Sequence, residues 1–238
     1  MTLDELLRAA LQGIPETQYV VGLCYENGLG VDTDKGVAEE WFLKAARAGF
    51  APAQHALSLL LQANGEERLA EAVDWLRKSA LQGFPLAQYL YSLYCEGGIG
   101  MASDPSEAFR FSLLAANRGY YPAARRVASM LEQGTGVGIN LEQAFHWYYR
   151  SAELGDVDSA TSVGRMYAGG LGVPKNDAKA LEWLQEGQRR GSPWAFLALS
   201  SVYRSGELGQ PIDKSKADEL AARAQELIEE RAKRGRSQ

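Results

Sequence analysis

The chain is predicted to be all-α, an α-solenoid of stacked antiparallel helical hairpins, and three observations lead there. A glycine closes an apolar stretch at Gly13, Gly49, Gly83, Gly119, Gly155 and Gly191, at intervals of 36, 34, 36, 36 and 36 residues. A bulky apolar side chain keeps one phase upstream of the later glycines, at Trp41, Trp75, Phe111, Trp147 and Trp183, with Leu220 in that place in the last unit. Between these markers apolar residues recur at helical spacing in two bursts separated by a turn, and self-similarity at such a period signals a repeat array.

The first element, residues 1–13, is a lone half-repeat. Thr2 and Glu5 have capping-box spacing ahead of Leu3, Leu6, Leu7, Ala10 and Leu11, an apolar stripe that would cover the first full repeat. Repeats follow at about 14–49, 50–83, 84–119, 120–155 and 156–191, with a modified sixth at 192–230. The fifth shows the internal plan most plainly. A helix through Val163, Gly164, Met166 and Tyr167 stops at Gly169-Gly170, where glycine relieves the left-handed position after a helix. After Leu171-Gly172-Val173-Pro174, Asn176 is placed to cap a second helix whose Ala180, Leu181, Trp183 and Leu184 form one apolar stripe. Asp34, Asp104-Pro105 and Asn140 occupy the same place in the first, third and fourth repeats. The second departs: Asn64-Gly65-Glu66-Glu67 replaces the glycine turn. Leu220, Ala221, Ala224, Leu227 and Ile228 form the closing stripe, with Glu226, Glu229, Glu230 and Arg231 toward water, and residues 231–238 read as a basic flexible tail.

Composition narrows the function. Apolar residues make up 46% and charged residues 23% of 238, enough for a continuous core. The net charge of −5 argues against nucleic acid, whose phosphates demand clustered Lys and Arg. The apolar runs are too short to span a bilayer, and acidic residues stand near the N-terminus where a leader would be basic. The expectation is a cytoplasmic protein, or a periplasmic one had an export signal been removed. Cys24 and Cys95 fall in corresponding helices two repeats apart, too far for a disulfide.

The residues that could carry chemistry do not assemble into a site. No glycine turn is followed by the Lys-Ser/Thr of a phosphate loop, and none follows a strand. His55 and His146 lie in different repeats without metal-ligand spacing. Glu39-Glu40, Glu66-Glu67 and Glu229-Glu230 are adjacent pairs that point about 100° apart on a helix, as solvated faces do. The reading is therefore no enzyme, no cofactor, no metal and no small-molecule substrate.

The first repeat carries Gln18, Gly22, Tyr25, Gly28, Gly30, Val31, Asp34, Lys35, Trp41, Lys44, Ala45, Ala46 and Gly49, and the fifth carries Gly164, Tyr167, Gly170, Gly172, Val173, Lys179, Ala180, Trp183 and Gly191. In this the chain resembles, over nearly its whole length, the Sel-one-like repeats, relatives of the tetratricopeptide repeats. The resemblance implies a right-handed superhelix of helical pairs, often bacterial, that acts as an adaptor or scaffold without catalytic residues. It leaves open an alternative, an immunity protein that blocks a cognate secreted enzyme.

A partner protein or peptide is expected in the concave groove, which the first helices of the hairpins line. One inward column would be Tyr19, His55, Tyr89, Arg125, Thr161 and Leu197. The next would be Leu23, Leu59, Leu93, Ser129, Arg165 and Ser201, and the third Glu26, Gln62, Glu96, Glu132, Ala168 and Arg204. The candidate binding residues are Tyr19, Leu23, His55, Leu59, Tyr89 and Leu93 at an apolar end, and Arg125, Glu132, Arg165 and Arg204 at a charged one.

Overall fold

The computed structural model describes residues 2–236. Among them are thirteen α-helices, one 3-10 turn and no strand. After α1 (Leu3–Leu11), first and second helices of the hairpins alternate: α2 (Pro15–Asn27) with α3 (Lys35–Arg47), α4 (Ala51–Ala63) with α5 (Leu69–Leu81), and α6 (Pro85–Gly97) with α7 (Pro105–Asn117). Then come α8 (Tyr121–Gln133) with α9 (Leu141–Glu153), α10 (Val157–Gly169) with α11 (Asp177–Arg189), and α12 (Pro193–Ser205) with α13 (Lys214–Arg236). Two compact units meet in sequence at Tyr120 and Tyr121: the first holds α1 to α7, the second α8 to α13.

Capping chemistry sets where the helices begin. The Thr2 hydroxyl accepts from the backbone N–H of Glu5, whose carboxylate accepts from the backbone N–H of Thr2. Asp34, Asp104, Asn140 and Asn176 each accept the N–H three residues on, satisfying a donor that the helix leaves without a partner. The fifth-repeat turn shows why two glycines are needed. Gly170 ends α10 at φ 65°, and Gly172, at φ 68°, lies so close to α9 that a Cβ there would stand 2.1 Å from the Leu141 carbonyl oxygen. The second repeat closes differently: Gly65 at φ 112° leads into a 3-10 turn over Glu66–Arg68, tied down by Arg68 to Glu39 at 2.5 Å and to Glu71 at 2.9 Å.

Each hairpin carries a small, buried residue at one position of its first helix. The positions are Gly22, Ser58, Ser92, Ala128, Gly164 and Ser200, all but Gly22 and Gly164 being Ser or Ala. Gly22 meets the fully buried Phe42 ring, and Gly164 meets Leu184 and the Ala180 carbonyl. The bulky phase read from the sequence is filled to unequal depth. Trp41, Phe111 and Leu220 are buried, whereas Trp75, Trp147 and Trp183 are only half-buried, and the next residue along supplies the deeper side chain in Leu76, Tyr148 and Leu184. Two of these rings are covered by cations one helical turn on, Lys78 4.1 Å over Trp75 and Arg150 5.2 Å over Trp147, while Trp183 packs edge-on against Tyr149 with ring centroids 5.2 Å apart.

A polar device repeats in the core. Gln18, Gln54 and Gln88 donate their side-chain amides to the carbonyls of Ala10, Ala46 and Ala80, each eight residues back on the preceding helix. In the fifth repeat that position is Ala160, and the matching carbonyl, Ala152, accepts instead from the Arg190 guanidinium at 2.6 Å. At the N-terminal end, Leu6 and Leu7 of α1 pack on the Ala10, Val21 and Trp41 cluster, while Leu11, the last residue of α1, is 75% exposed and does not join the covering stripe. Residues 231–236 continue α13; residues 237–238 of the expected tail lie outside the described residues. The Cys24 and Cys95 thiols are free and buried.

Candidate functional site

Helical spacing puts residues three and four apart on one face, so the Tyr19, His55 and Tyr89 column and the Leu23, Leu59 and Leu93 column lie side by side on α2, α4 and α6. In the first unit this face is an aromatic ladder. Tyr19 packs edge-on to Phe50 with ring centroids 5.5 Å apart, His55 to Phe84 at 5.3 Å, and Tyr89 against Tyr120 at 5.2 Å. Each contact joins the first helix of one repeat to the residue that directly precedes the next first helix in sequence. Tyr19 also lies 5.8 Å from Phe42.

Burial tunes the ladder. Desolvation pushes the His55 pKa below its ordinary value, raises the Tyr19 hydroxyl further with help from nearby Glu26, and raises Glu26 itself. Leu23 and Leu93 are half-buried, and Leu59, between them in sequence order, is 42% exposed. The partners Phe50, Phe84 and Tyr120 were not among the candidate residues read from the sequence. Their signal was present, since each directly follows a helix-closing glycine, Gly49, Gly83 or Gly119.

In the second unit the same contact is polar. Arg125 faces Asp156, which follows Gly155, with Nε 3.4 Å from Oδ2, and its Nη1 lies 3.3 Å from Asp158. Thr161 donates to Ser192, which follows Gly191, at 3.3 Å. The three arginines expected to greet a partner's carboxylates each have one within the chain: Arg165 pairs with Glu132 at 2.5 Å and Arg204 with Asp218 at 2.7 Å. Glu132 also accepts from the Tyr148 hydroxyl at 3.1 Å. Burial, then the Glu132 charge, pushes that hydroxyl up to about 12. The structure thus brings Tyr19, Leu23, His55, Leu59, Tyr89 and Leu93 onto one face of the first unit. In the second it divides Arg125, Glu132, Arg165 and Arg204 among internal ion pairs.

A cleft of about 620 Å³ opens elsewhere in the first unit, lined by Glu71, Asp74, Arg77, Tyr91, Asp104 and Glu107 among others. Glu71 and Glu107 sit in the first turns of α5 and α7, and Asp104 caps α7, where negative charge opposes the helix dipole. Among the described residues no group of three or more His, Cys, Asp or Glu is placed to hold a metal, and no helix is long and apolar enough to cross a membrane.

Helical hairpins in tandem, the first three with a buried glutamine on the first helix donating to a carbonyl of the preceding helix, define a repeat protein of the α-solenoid class. The Sel1 repeat family matches residues 15–50, 51–84, 85–120, 122–156 and 157–191. The chain belongs to the Sel1 repeat family. It is similar to a protective antigen of uropathogenic Escherichia coli strains with the same fold, at 30% identity and a TM-score of 0.85, over 95% of this chain and 49% of that one. A Sel1 repeat protein from Oxalobacter formigenes is 31% identical with a TM-score of 0.74, over 90% of this chain and 86% of the other. A 50-residue stretch, 21% of this chain, is 40% identical to chitin synthase regulatory factor 3 of Schizosaccharomyces pombe. This chain spans about half of the antigen and 5% of the regulatory factor.

Proposed function

We propose that this chain is a non-catalytic scaffold that captures a partner protein on the first-helix face of its first unit. Repeat arrays of this family mediate contacts between proteins, which supports the class. One observation supports this choice of surface: Leu59 is 42% exposed between half-buried Leu23 and Leu93, beside the Tyr19, His55 and Tyr89 ladder. Exposed leucine flanked by rigid aromatic side chains offers apolar anchor points at small entropic cost. The partner segment that fits is an amphipathic helix or extended strand presenting apolar side chains, with its polar face outward. In the second unit the corresponding positions Arg125, Arg165 and Arg204 are ion-paired within the chain, so the apolar anchor points of this reading all lie in the first.

The test is affinity capture from native lysate with the wild-type chain and with Leu59→Glu and Tyr89→Ala variants, followed by identification of what is lost. Leu59 is exposed, so its substitution is expected to change stability by no more than about 0.5 kcal/mol, and lost capture then reads recognition. Loss of several weakly held proteins supports the scaffold. Loss of one stoichiometric enzyme, inhibited by the wild-type chain, replaces the scaffold reading with that of an immunity protein on the same face. An unchanged set moves the binding surface elsewhere.

A further inference from the structure

The last helix departs from the repeat in a way that packing does not explain. α13 runs for 23 residues, whereas α12, its hairpin partner, and every second helix before it run for 13. Its apolar stripe is spent early: Ala217, Leu220 and Ala224 are buried, Leu227 and Ile228 half-buried, and residues 229–234 exposed. Yet the exposed extension does not end loose. Arg231 reaches back 73 residues to α10, its Nη1 lying 3.2 Å from Asp158 Oδ2 and 3.4 Å from Oδ1, while Nη2 stands 3.5 Å from the Gly191 carbonyl.

The group it reaches is held ready. Asp158 Oδ1 accepts from the Ser192 hydroxyl at 2.7 Å, and Oδ2 lies 3.3 Å from Arg125 Nη1, which fixes the carboxylate on the second residue of α10. Its side chain is 17% exposed, against 44% for Arg231. Asp156 and Asp158 carry two negative charges against one on Arg125, so without Arg231 the site keeps one net negative charge. The contact with Arg231 is loose. One nitrogen straddles both carboxylate oxygens at distances longer than the 2.7–2.9 Å typical of strong charge-assisted bonds, and the two-nitrogen fork of which a guanidinium is capable is not formed.

We infer that the end of α13 is a strap: Arg231 fills in cis a guanidinium seat at Asp158, and a partner segment bearing an arginine binds there by displacing it. An incoming arginine free to approach along the carboxylate plane can form the two parallel bonds that Arg231 lacks. The displaced helix end loses only exposed residues, so release strips nothing from the core. This seat lies in the second unit and does not depend on the binding face proposed for the first.

The experiment uses the full chain and a fluorescein-labelled tetra-arginine peptide at about 0.15 M salt, where diffuse attraction to an acidic protein is screened over about 8 Å. Arg231→Ala is expected to bind the peptide at least about tenfold more tightly than wild type. Arg223→Ala removes the same charge from the same helix, at a residue paired with Glu226, and is expected to match wild type. Asp158→Asn, which keeps an oxygen for Ser192, is expected to cancel the gain when combined with Arg231→Ala. Amide exchange at residues 229–234 gives an independent readout, with at least about tenfold faster exchange expected in Arg231→Ala. Equal gains in the Arg231 and Arg223 variants, a gain that survives Asp158→Asn, or unchanged exchange would each overturn the strap.

Discussion

Gly22 of α2 faces Phe42 of α3 so closely that a Cβ at position 22 would lie 2.5 Å from two carbons of the ring. Phe42 is fully buried, so the ring has nowhere to retreat. Alanine is the better helix former by about 1 kcal/mol, but overpacking a tight core costs about 1–3 kcal/mol. The clash should win. Gly22→Ala is expected to lower the urea midpoint, Gly22→Val to lower it further, and Phe42→Leu to recover part of the loss in the double variant. A Gly22→Ala chain as stable as wild type would show that the hairpin adjusts more freely than this contact implies.

The buried glutamines allow a comparison between two copies of one device. Gln54 donates to the Ala46 carbonyl at 3.0 Å and accepts from Gln82 at 2.7 Å, so both ends of its amide are used. Gln88 donates to Ala80 in the same way, but its Oε1 is buried with no partner among the described residues. Replacing Gln54 by leucine breaks two bonds, whereas the same change at Gln88 also removes a desolvated acceptor. Unmatched buried polar groups cost about 1–3 kcal/mol, so Gln54→Leu is expected to be the more destabilising by about 1 kcal/mol or more in matched denaturant titrations.

Much of this architecture is legible in the sequence because it rests on local chemistry. Thr2, Asp34, Asp104, Asn140 and Asn176 cap helices through hydrogen bonds three residues long, and glycines mark the left-handed turns of the repeats, whereas Leu208 in the last hairpin takes φ 52° without one. The second repeat stood out for the same local reason, its missing glycine turn. What sequence periodicity does not convey is partnership across repeats. Position 125 reads as a basic groove residue until Asp156 and Asp158 are seen beside it, and the Tyr19 column reads as free aromatic surface until Phe50, Phe84 and Tyr120 close on it. Depth is obscured in the same way: in three of the second helices the tryptophan, Trp75, Trp147 or Trp183, is only half-buried, and the residue after it, Leu76, Tyr148 or Leu184, is the buried one.

His55 makes the first unit sensitive to acid. Burial against Phe84 holds its pKa below the ordinary 6.5, so the unfolded chain takes up a proton at a pH where the folded chain still resists it. Its contribution to stability is therefore complete above about 6.5 and is lost as pH falls below that value toward the folded pKa. Urea midpoints at about pH 7.5 and pH 5.5 should differ for wild type, and the difference should narrow in His55→Phe, which keeps an aromatic ring in the ladder and has no proton to bind. An unchanged difference would assign the acid sensitivity to the carboxylates instead.

Charge reversal at Arg125 is expected to weaken the second unit itself. The side chains of Asp156 and Asp158 are only 8% and 17% exposed, and Arg125→Glu would set a third carboxylate against them. Arg125→Met removes the positive charge but keeps much of the apolar stem, so it should cost less. The expected order of stability is wild type, then Arg125→Met, then Arg125→Glu, with the gap between the variants shrinking in about 1 M salt. A partner lost by Arg125→Glu would thus report damage to the fold as readily as recognition, which is why the capture experiment rests first on exposed Leu59.

Cys95 should be chemically silent until the chain opens. Its thiol is fully buried, and desolvation raises its pKa, while the Tyr91 hydroxyl opposes that shift through a hydrogen bond. Reaction needs both the thiolate and access, and α6 denies both. Ellman's reagent is expected to react with Cys95 only as fast as the surrounding helices unfold, so its rate should rise in step with denaturant. The Tyr91→Phe variant separates the two causes: it removes the hydrogen bond but leaves burial intact, so the rate should stay controlled by opening and show no new dependence on pH around neutrality. Rapid labelling of Cys95 in the native chain would mean that α6 opens locally far more often than its packing implies.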